Sequence, residues 1–202
     1  MNRHAPPLVV ACGALASELR AVLAGQDLDD IEVRYLPANL HNRPERIVPA
    51  LRQVLDDAGG ERDVFVAYAD CGTGGALDAF LAEHPGIERL PGAHCYEFFA
   101  GSERFAALHE GEPGTFYLTD FLAKHFDVLV WQGLGLDRHP SLLQTYFGNY
   151  RRVVLLSQSG DPAVLVAATA AAERLGLEFR HEHTGLEPFT SAVAVGLNHK
   201  VA

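Results

Sequence analysis

Cysteine is scarce in this chain, with three in 202 residues. Three cannot all pair with one another, which excludes a disulfide framework. In a reducing cytoplasm they are expected as thiols, thiolates or ligands. Positive charge is short as well. Lys plus Arg number 16 against 26 Asp plus Glu, a formal net charge of −10. The chain therefore lacks the basic surface that nucleic acid or an anionic membrane demands. No apolar run approaches the roughly 20 residues of a membrane helix. Residues 1–7 carry no long apolar stretch with a cleavage site, so no secretory leader is expected. With 48% hydrophobic and 21% charged residues, the composition is that of an ordinary globular protein. The expectation is a cytoplasmic protein with no nucleic-acid or membrane partner, acting on a small molecule.

What is present is an alternation of short apolar runs with helical spacing. Leu8, Val9, Val10 and Ala11 end in Cys12-Gly13, and residues 14–23 then place apolar side chains at helical intervals. Residues 64–69 lead into Asp70-Cys71-Gly72-Thr73-Gly74-Gly75, followed by a helix from Ala76 to Leu81. Residues 153–156 lead through Ser157 and Ser159 into an Ala-rich helix ending at Leu175, capped by Gly176, with a strand expected over 177–181. Further strands are expected over 32–36 and 127–131, and a helix over 43–57 before Gly59-Gly60. Alternating strands and helices predict an α/β fold: a Rossmann-like layered sheet, mainly of parallel strands, with helices on both faces. One domain over 1–202 is expected, with two pseudo-similar lobes, 1–110 and 111–202, as the alternative division. The aromatics Phe116, Tyr117, Phe121 and Phe126 read as core, and Asp120 and His125 as candidates for lining a pocket.

In parallel sheets ligands sit beyond the carboxyl ends of the strands, and both Cys12 and Cys71 fall there. The 70–75 segment has no following Gly-Lys-Ser/Thr and the wrong glycine spacing for a dinucleotide fingerprint. Its Gly72, Thr73, Gly74 and Gly75 are candidates to hold a substrate anion on backbone amides. A glycine-rich turn with a packed cysteine is the competing reading. His94, Cys95 and Glu97 place three metal-capable side chains within four residues, though not all on one ion; a solvated loop competes. In the polar loop that follows residue 36, His41 is a candidate ligand or proton carrier, and Arg43 a candidate partner for a carboxylate or phosphate. No pair of cysteines has C-x-x-C spacing. Convergence of the three is thus an inference from topology. If Cys12, Cys71 and Cys95 meet, a fourth position remains for His94, His41, water or substrate. Zinc fits that set, and so does an iron–sulfur cluster held by three cysteines. Asp70 and His41 are the candidate catalytic residues, and Glu97 joins Arg43 as a candidate substrate contact.

Read together and in order, Ala11-Cys12-Gly13-Ala14-Leu15, the stretch from Leu36 to Pro44, the segments at 70–75 and 91–97, and that at 114–121 resemble the family called domain of unknown function 1638. The resemblance implies a link to one-carbon chemistry, since members tend to be encoded beside corrinoid-dependent methyltransferases. It supplies no catalytic assignment. The expectation is a metal-binding protein of methyl-group metabolism whose Cys/His site activates a thiol or methyl substrate. A non-catalytic accessory of a corrinoid methyltransferase, and a metal-free enzyme with Cys71 as nucleophile, are the alternatives.

Overall fold

The computed structural model describes residues 5–25, 30–59 and 62–201, the last four of these as backbone only. The opening residues 1–4, Gly60 and the side chain of His199 lie outside the described residues. The chain divides into two compact units, Met1–Phe98 with Phe189–Ala202, and Phe99–Pro188. Each is α/β, with parallel strands flanked by helices in a Rossmann-like arrangement.

Unit 1 carries a four-stranded parallel sheet of order β2-β1-β3-β4. Its strands are β1 (Leu8–Cys12), β2 (Glu32–Leu36), β3 (Val64–Ala67) and β4 (Glu88–Arg89), alternating with α1 (Ala16–Ala24), α2 (Ile47–Ala58) and α3 (Ala76–Ala82) before α4 (Cys95–Ala100). The central strands are the continuous apolar runs. Leu8, Val9, Val10 and Ala11 have no exposed surface, and all four residues of β3 are buried. That is the signature of a parallel strand covered on both faces. β2 lies at the edge, where Glu32 pairs with Arg34 at 2.7 Å and with Arg62 at 2.8 Å. In α2, Ile47 and Leu51 stand one turn apart and lie on the sheet, while residues 52, 53, 56 and 57 face solvent.

The strand order has a functional consequence. The chain leaves β1 toward β2 on one side, then crosses over to β3 on the other. The connections therefore part between β1 and β3, and a crevice opens beyond their carboxyl ends. The register pairs Ala11 with Ala67, so Cys12 and the residues after β3 share that edge.

Unit 2 has a three-stranded parallel sheet, β5 (Thr115–Thr119), β6 (Arg152–Ser157) and β7 (Glu178–His183), with β6 central. Its helices are α5 (Ser102–Gly111), α6 (Asp120–Lys124), α7 (Leu142–Phe147) and α8 (Pro162–Leu175). All six residues of β6 are buried. Its one long polar side chain, Arg152, is satisfied by the Thr115 hydroxyl at 2.8 Å and the Leu108 carbonyl at 2.9 Å. The Asp161 carboxylate caps α8 by accepting from the Ala163 amide at 2.9 Å, and Gly176 closes it in the left-handed conformation. The last helix, α9 (Glu187–Val201), contributes to unit 1 from Phe189 onward.

Two sequence expectations are corrected. Residues 127–131 do not form a strand. They lie in a π-helical turn, Asp127–Gln132, in which Leu129 and Val130 are buried while Val128 is 60% exposed. Arg174 covers the Trp131 ring at 3.7 Å and pairs with Asp127, holding the turn from outside. The strand position beside β6 is taken instead by β5, a segment not expected as a strand. Tyr117 and Phe126 are nonetheless core, each 5% exposed.

α9 is fixed in unit 1 by close contact. A Cβ on Gly196 would sit 2.2 Å from Cε2 of Phe65, a residue of β3 with 1% exposure. Gly to Ala inside a helix ordinarily stabilises by about 1 kcal/mol. Here Gly196→Ala is expected to lower stability by about 1–3 kcal/mol through overpacking. Denaturant titration of the variant, and of its combination with Phe65→Leu, checks this; the second change should restore much of the loss.

Candidate functional site

The site is built where β1 and β3 end. Cys12 is the last residue of β1, and Gly13 follows in a tight turn against β2. A Cβ there would lie 2.9 Å from the Leu36 carbonyl oxygen, which is why the turn takes glycine. After β3 the chain passes through Tyr68 and Ala69 to Asp70 and Cys71. Cys71 has φ of 50°, the left-handed region, alone among the described non-glycine residues. A β-carbon is strained there by about 1–3 kcal/mol.

Two backbone bonds hold this strain. The Asp70 amide donates to the Gly92 carbonyl at 3.1 Å and the Cys71 amide to the Ala93 carbonyl at 2.9 Å. Arg89 braces the same loop, donating to the Leu90 and Gly92 carbonyls while its Nε lies 2.6 Å from Asp78. The 92–93 loop thus lies against the end of β3 and delivers Cys95, at the start of α4.

The three thiols are therefore neighbours. Cys12 and Cys71 pack against the apolar core formed by Val10, Leu40, Val66 and Leu77. Burial raises the pKa of all three. For Cys71, burial and then the charge of Cys12 push it up to about 12. Cys95 stands well above the ordinary value through burial and then the charges of Cys71 and Cys12. Backbone amides near each sulfur pull the other way: Ala14 at Cys12, Ala69 and Cys95 at Cys71, and Cys95 and Tyr96 at Cys95. Tyr68, 2% exposed, lies beside Cys12 with its hydroxyl buried and without a well-formed hydrogen bond. Burial, then the Cys12 charge, raises its pKa far beyond the usual phenol range.

Among the described residues no three His, Cys, Asp or Glu side chains stand with their donor atoms arranged to hold a metal ion. As protonated thiols the three cysteines share a pocket without being drawn together.

The other sequence candidates fall around this pocket. His41 lies in a short 3-10 turn, Ala38–Asn42, and His94 in the loop before α4. His41 is exposed; partial desolvation by the surrounding chain, then the charge of His94, lowers its pKa. Gly72 lies near Pro44 of the His41 loop, where a Cβ would be 3.7 Å away. Arg43 is exposed.

Four of the remaining candidates serve the turn itself. The Asp70 carboxylate accepts from the Thr73 hydroxyl at 2.5 Å, the Gly75 amide at 2.9 Å and the Gly74 amide at 3.1 Å. Those amides and that hydroxyl are engaged by an internal anion and are not free for a substrate carboxylate or phosphate. Asp70 itself is committed to the turn, not poised for proton transfer. Glu97 is likewise turned onto its own loop, accepting from the Ala93 amide at 3.1 Å. The sequence reading passed over Tyr68; its one signal was a polar tip at the end of an otherwise apolar run.

Asp120 and His125 belong to unit 2. The buried Asp120 carboxylate accepts from the Gln158 amide at 3.1 Å, the Ser159 amide at 2.8 Å and the Ser159 hydroxyl. His125 contacts the Phe121 ring, with centroids 4.4 Å apart.

Fold and site together define a Rossmann-like α/β protein with three half-buried thiols at the switch point of its first sheet. The chain belongs to the family described as protein of unknown function DUF1638, whose profile matches residues 35–193. The matched span includes Cys71 and Cys95 but starts after Cys12. No curated protein and no solved structure matches the chain. Among the described residues, no helix is long and apolar enough to cross a membrane.

Two outcomes are expected. The Asp70 carboxyl is held below its usual range: burial opposes the charge, but the Thr73 hydroxyl and the Gly75 and Gly74 amides overcome it. A depressed folded pKa adds stability that is present above the unfolded value, about 3.9, and lost as pH falls through the folded one. Urea midpoints measured from pH 7 down to pH 3 should fall less steeply for Asp70→Asn than for the native chain. The thiols give the second. With raised pKa values, few are thiolate at neutral pH. Alkylation of the metal-free folded protein by iodoacetamide at pH 7 should be slower at all three cysteines than in the unfolded chain.

Proposed function

We propose that unit 1 is a thiophilic metal site, taking zinc or an iron–sulfur cluster on Cys12, Cys71 and Cys95, and that the protein serves methyl-group chemistry. The observation that carries this reading is the placing of all three cysteines where β1 and β3 end, with Cys12 closing β1, Cys71 following β3, and Cys95 following the 92–93 loop that is hydrogen-bonded to Asp70 and Cys71. Separate packing roles do not account for it. The free thiols resist ionisation, first because they are desolvated and then, at Cys71 and Cys95, because the neighbouring thiolates repel. A bound cation reverses that term, since a coordinating thiol is deprotonated outright. The amides directed at each sulfur then add to the stability of the thiolates. Cys12, Cys71 and Cys95 would supply thiolate donors suited to zinc or iron–sulfur, and holding an ion would require the three sulfurs to move into its coordination sphere.

When bound, such a centre lowers the pKa of a coordinated thiol and prepares it for methyl transfer. The chain's own residues do the rest. Tyr68 and the apolar core exclude water from behind. His41, with His94 beside it, offers an imidazole at the open side as a fourth donor or a proton acceptor. Exposed Arg43 is the candidate to meet a substrate anion, now that the Gly74 and Gly75 amides are spoken for. The link to corrinoid-dependent methyltransferases rests on the family resemblance. An accessory role beside such an enzyme is the second reading. The free-nucleophile reading is weakened by the thiol pKa values, which rise where a nucleophile needs them lowered.

Metal and acid-labile sulfide analysis on protein purified without oxygen tests the site. About one zinc per chain, or iron with sulfide, is expected in the native protein, and loss of the metal with the fold retained in Cys71→Ser. Uptake should release protons and weaken as pH falls, because every ligand thiol must ionise. Full metal content in Cys71→Ser, or failure of the native chain to load after reconstitution with zinc or with iron and sulfide, would overturn the proposal. Thiol methylation from methylcobalamin, faster with the loaded native protein than with Cys71→Ser, separates a catalytic from an accessory role.

A further inference from the structure

Unit 2 has chemistry at the carboxyl end of its own sheet that the thiol site does not use. Ser157 ends the central strand β6 and is 2% exposed. On the neighbouring edge strand β7, His181 and His183 are two residues apart, so both rings rise on the same face. The register sets His183 opposite Ser157 and His181 opposite Leu155. Both rings then turn onto one oxygen: His181 Nε2 lies 2.7 Å and His183 Nδ1 3.1 Å from Ser157 Oγ.

A hydroxyl has one proton to give. Between two neutral imidazoles it donates to one ring and accepts N–H from the other. Two ring nitrogens are thus fixed on one point by a buried group, while the residues that carry them stay exposed. The surroundings keep them there. The Thr184 amide and hydroxyl bond to the Ser157 carbonyl at 2.9 and 3.1 Å, tying the end of β7 to β6. Gly160, with φ of 67°, lets its loop approach His183, where a Cβ would lie 3.6 Å from Cε1. Arg104 donates to the His183 carbonyl at 3.1 Å, and its charge is balanced by its ion pair with Glu182. The local field therefore does not repel a cation.

We propose that His181 and His183, with Ser157 beneath them, form a binding site for a late first-row divalent metal ion such as Zn²⁺, Ni²⁺ or Cu²⁺, separate from the thiol site. Imidazole nitrogen is the preferred donor for these ions. Binding needs no net loss of a proton from neutral rings. The ring that donates to Ser157 moves its proton to its other nitrogen, and both lone pairs face the ion. The serine oxygen is then a third donor or a hydrogen-bonding support. Water fills the outward positions, so the ion keeps coordination sites open to a small ligand from solvent.

Cobalt titration of the full chain tests this, because cobalt on thiolates shows a charge-transfer absorption that cobalt on imidazoles does not. In the native protein, cobalt bound with no thiolate absorption is expected as a class of its own. His181→Ala with His183→Ala should abolish that class and leave any thiolate absorption unchanged. Ser157→Ala should weaken it about 10- to 100-fold, as loss of a supporting group does. Cysteine-to-serine changes should remove the thiolate absorption alone, so failure of one site is told from failure of the other. The proposal is overturned if native protein binds no cobalt beyond the thiolate class, or if the double histidine variant binds it undiminished.

Discussion

The pairing of two loops through the Asp70 and Cys71 amides is the constraint on which the candidate site depends. Cys71 sits in a conformation that a side chain adopts only under compulsion. The carbonyls of Gly92 and Ala93 supply it. Without those two bonds the chain after β3 relaxes, Cys71 loses its direction, and the loop that carries Cys95 has no reason to lie against β3. Strain of this kind survives only where the surroundings over-determine it. Here Arg89 and Asp78 do so from one side, and the Asp70 turn from the other. The left-handed cysteine is thus the point where backbone geometry and thiol chemistry meet.

Both units solve one problem in the same way. A strand that runs into a glycine- or serine-rich turn before a helix leaves amides facing outward, a ready anion site. In unit 1 the Asp70 carboxylate fills it from within the turn. In unit 2 the Asp120 carboxylate fills it from the end of the neighbouring strand. Each carboxylate sits where a phosphate would lie in a nucleotide-binding sheet. The chain therefore keeps the Rossmann-like scaffold but has closed its anion cradles with its own side chains. What remains for chemistry is sulfur in unit 1 and imidazole in unit 2.

Much of the fold was legible because the parallel core strands are unbroken apolar runs. Residues 8–11, 64–67 and 153–156 are apolar throughout and buried throughout. The π-helical turn at 127–132 was not legible, because Val128, Leu129 and Val130 match a buried strand until Arg174, distant in sequence, is seen to cover Trp131. At the site, topology alone placed Cys12 and Cys71 on one edge. The arrival of Cys95 depends on backbone bonds that leave no trace in residue type. The internal hydrogen bonds of Gly74, Gly75 and Glu97 were not legible for a related reason. Residue types that suit a ligand also suit an internal partner, and only distance tells which has claimed them.

The thiol pocket is a balance between opposed terms. Burial and mutual charge hold the sulfurs protonated, while amides from Ala14, Ala69, Cys95 and Tyr96 favour the ionised form. If packing were the only demand, amide donors at every sulfur would serve nothing, since a buried thiol behaves as a small hydrophobe. If nucleophilic attack were the demand, a neighbouring cation or base would lower one pKa, and three repelling thiols would be a poor way to reach that end. On the proposed reading, one positive charge shared by the three sulfurs would offset their mutual repulsion as thiolates, and the nearby amides would add to that effect.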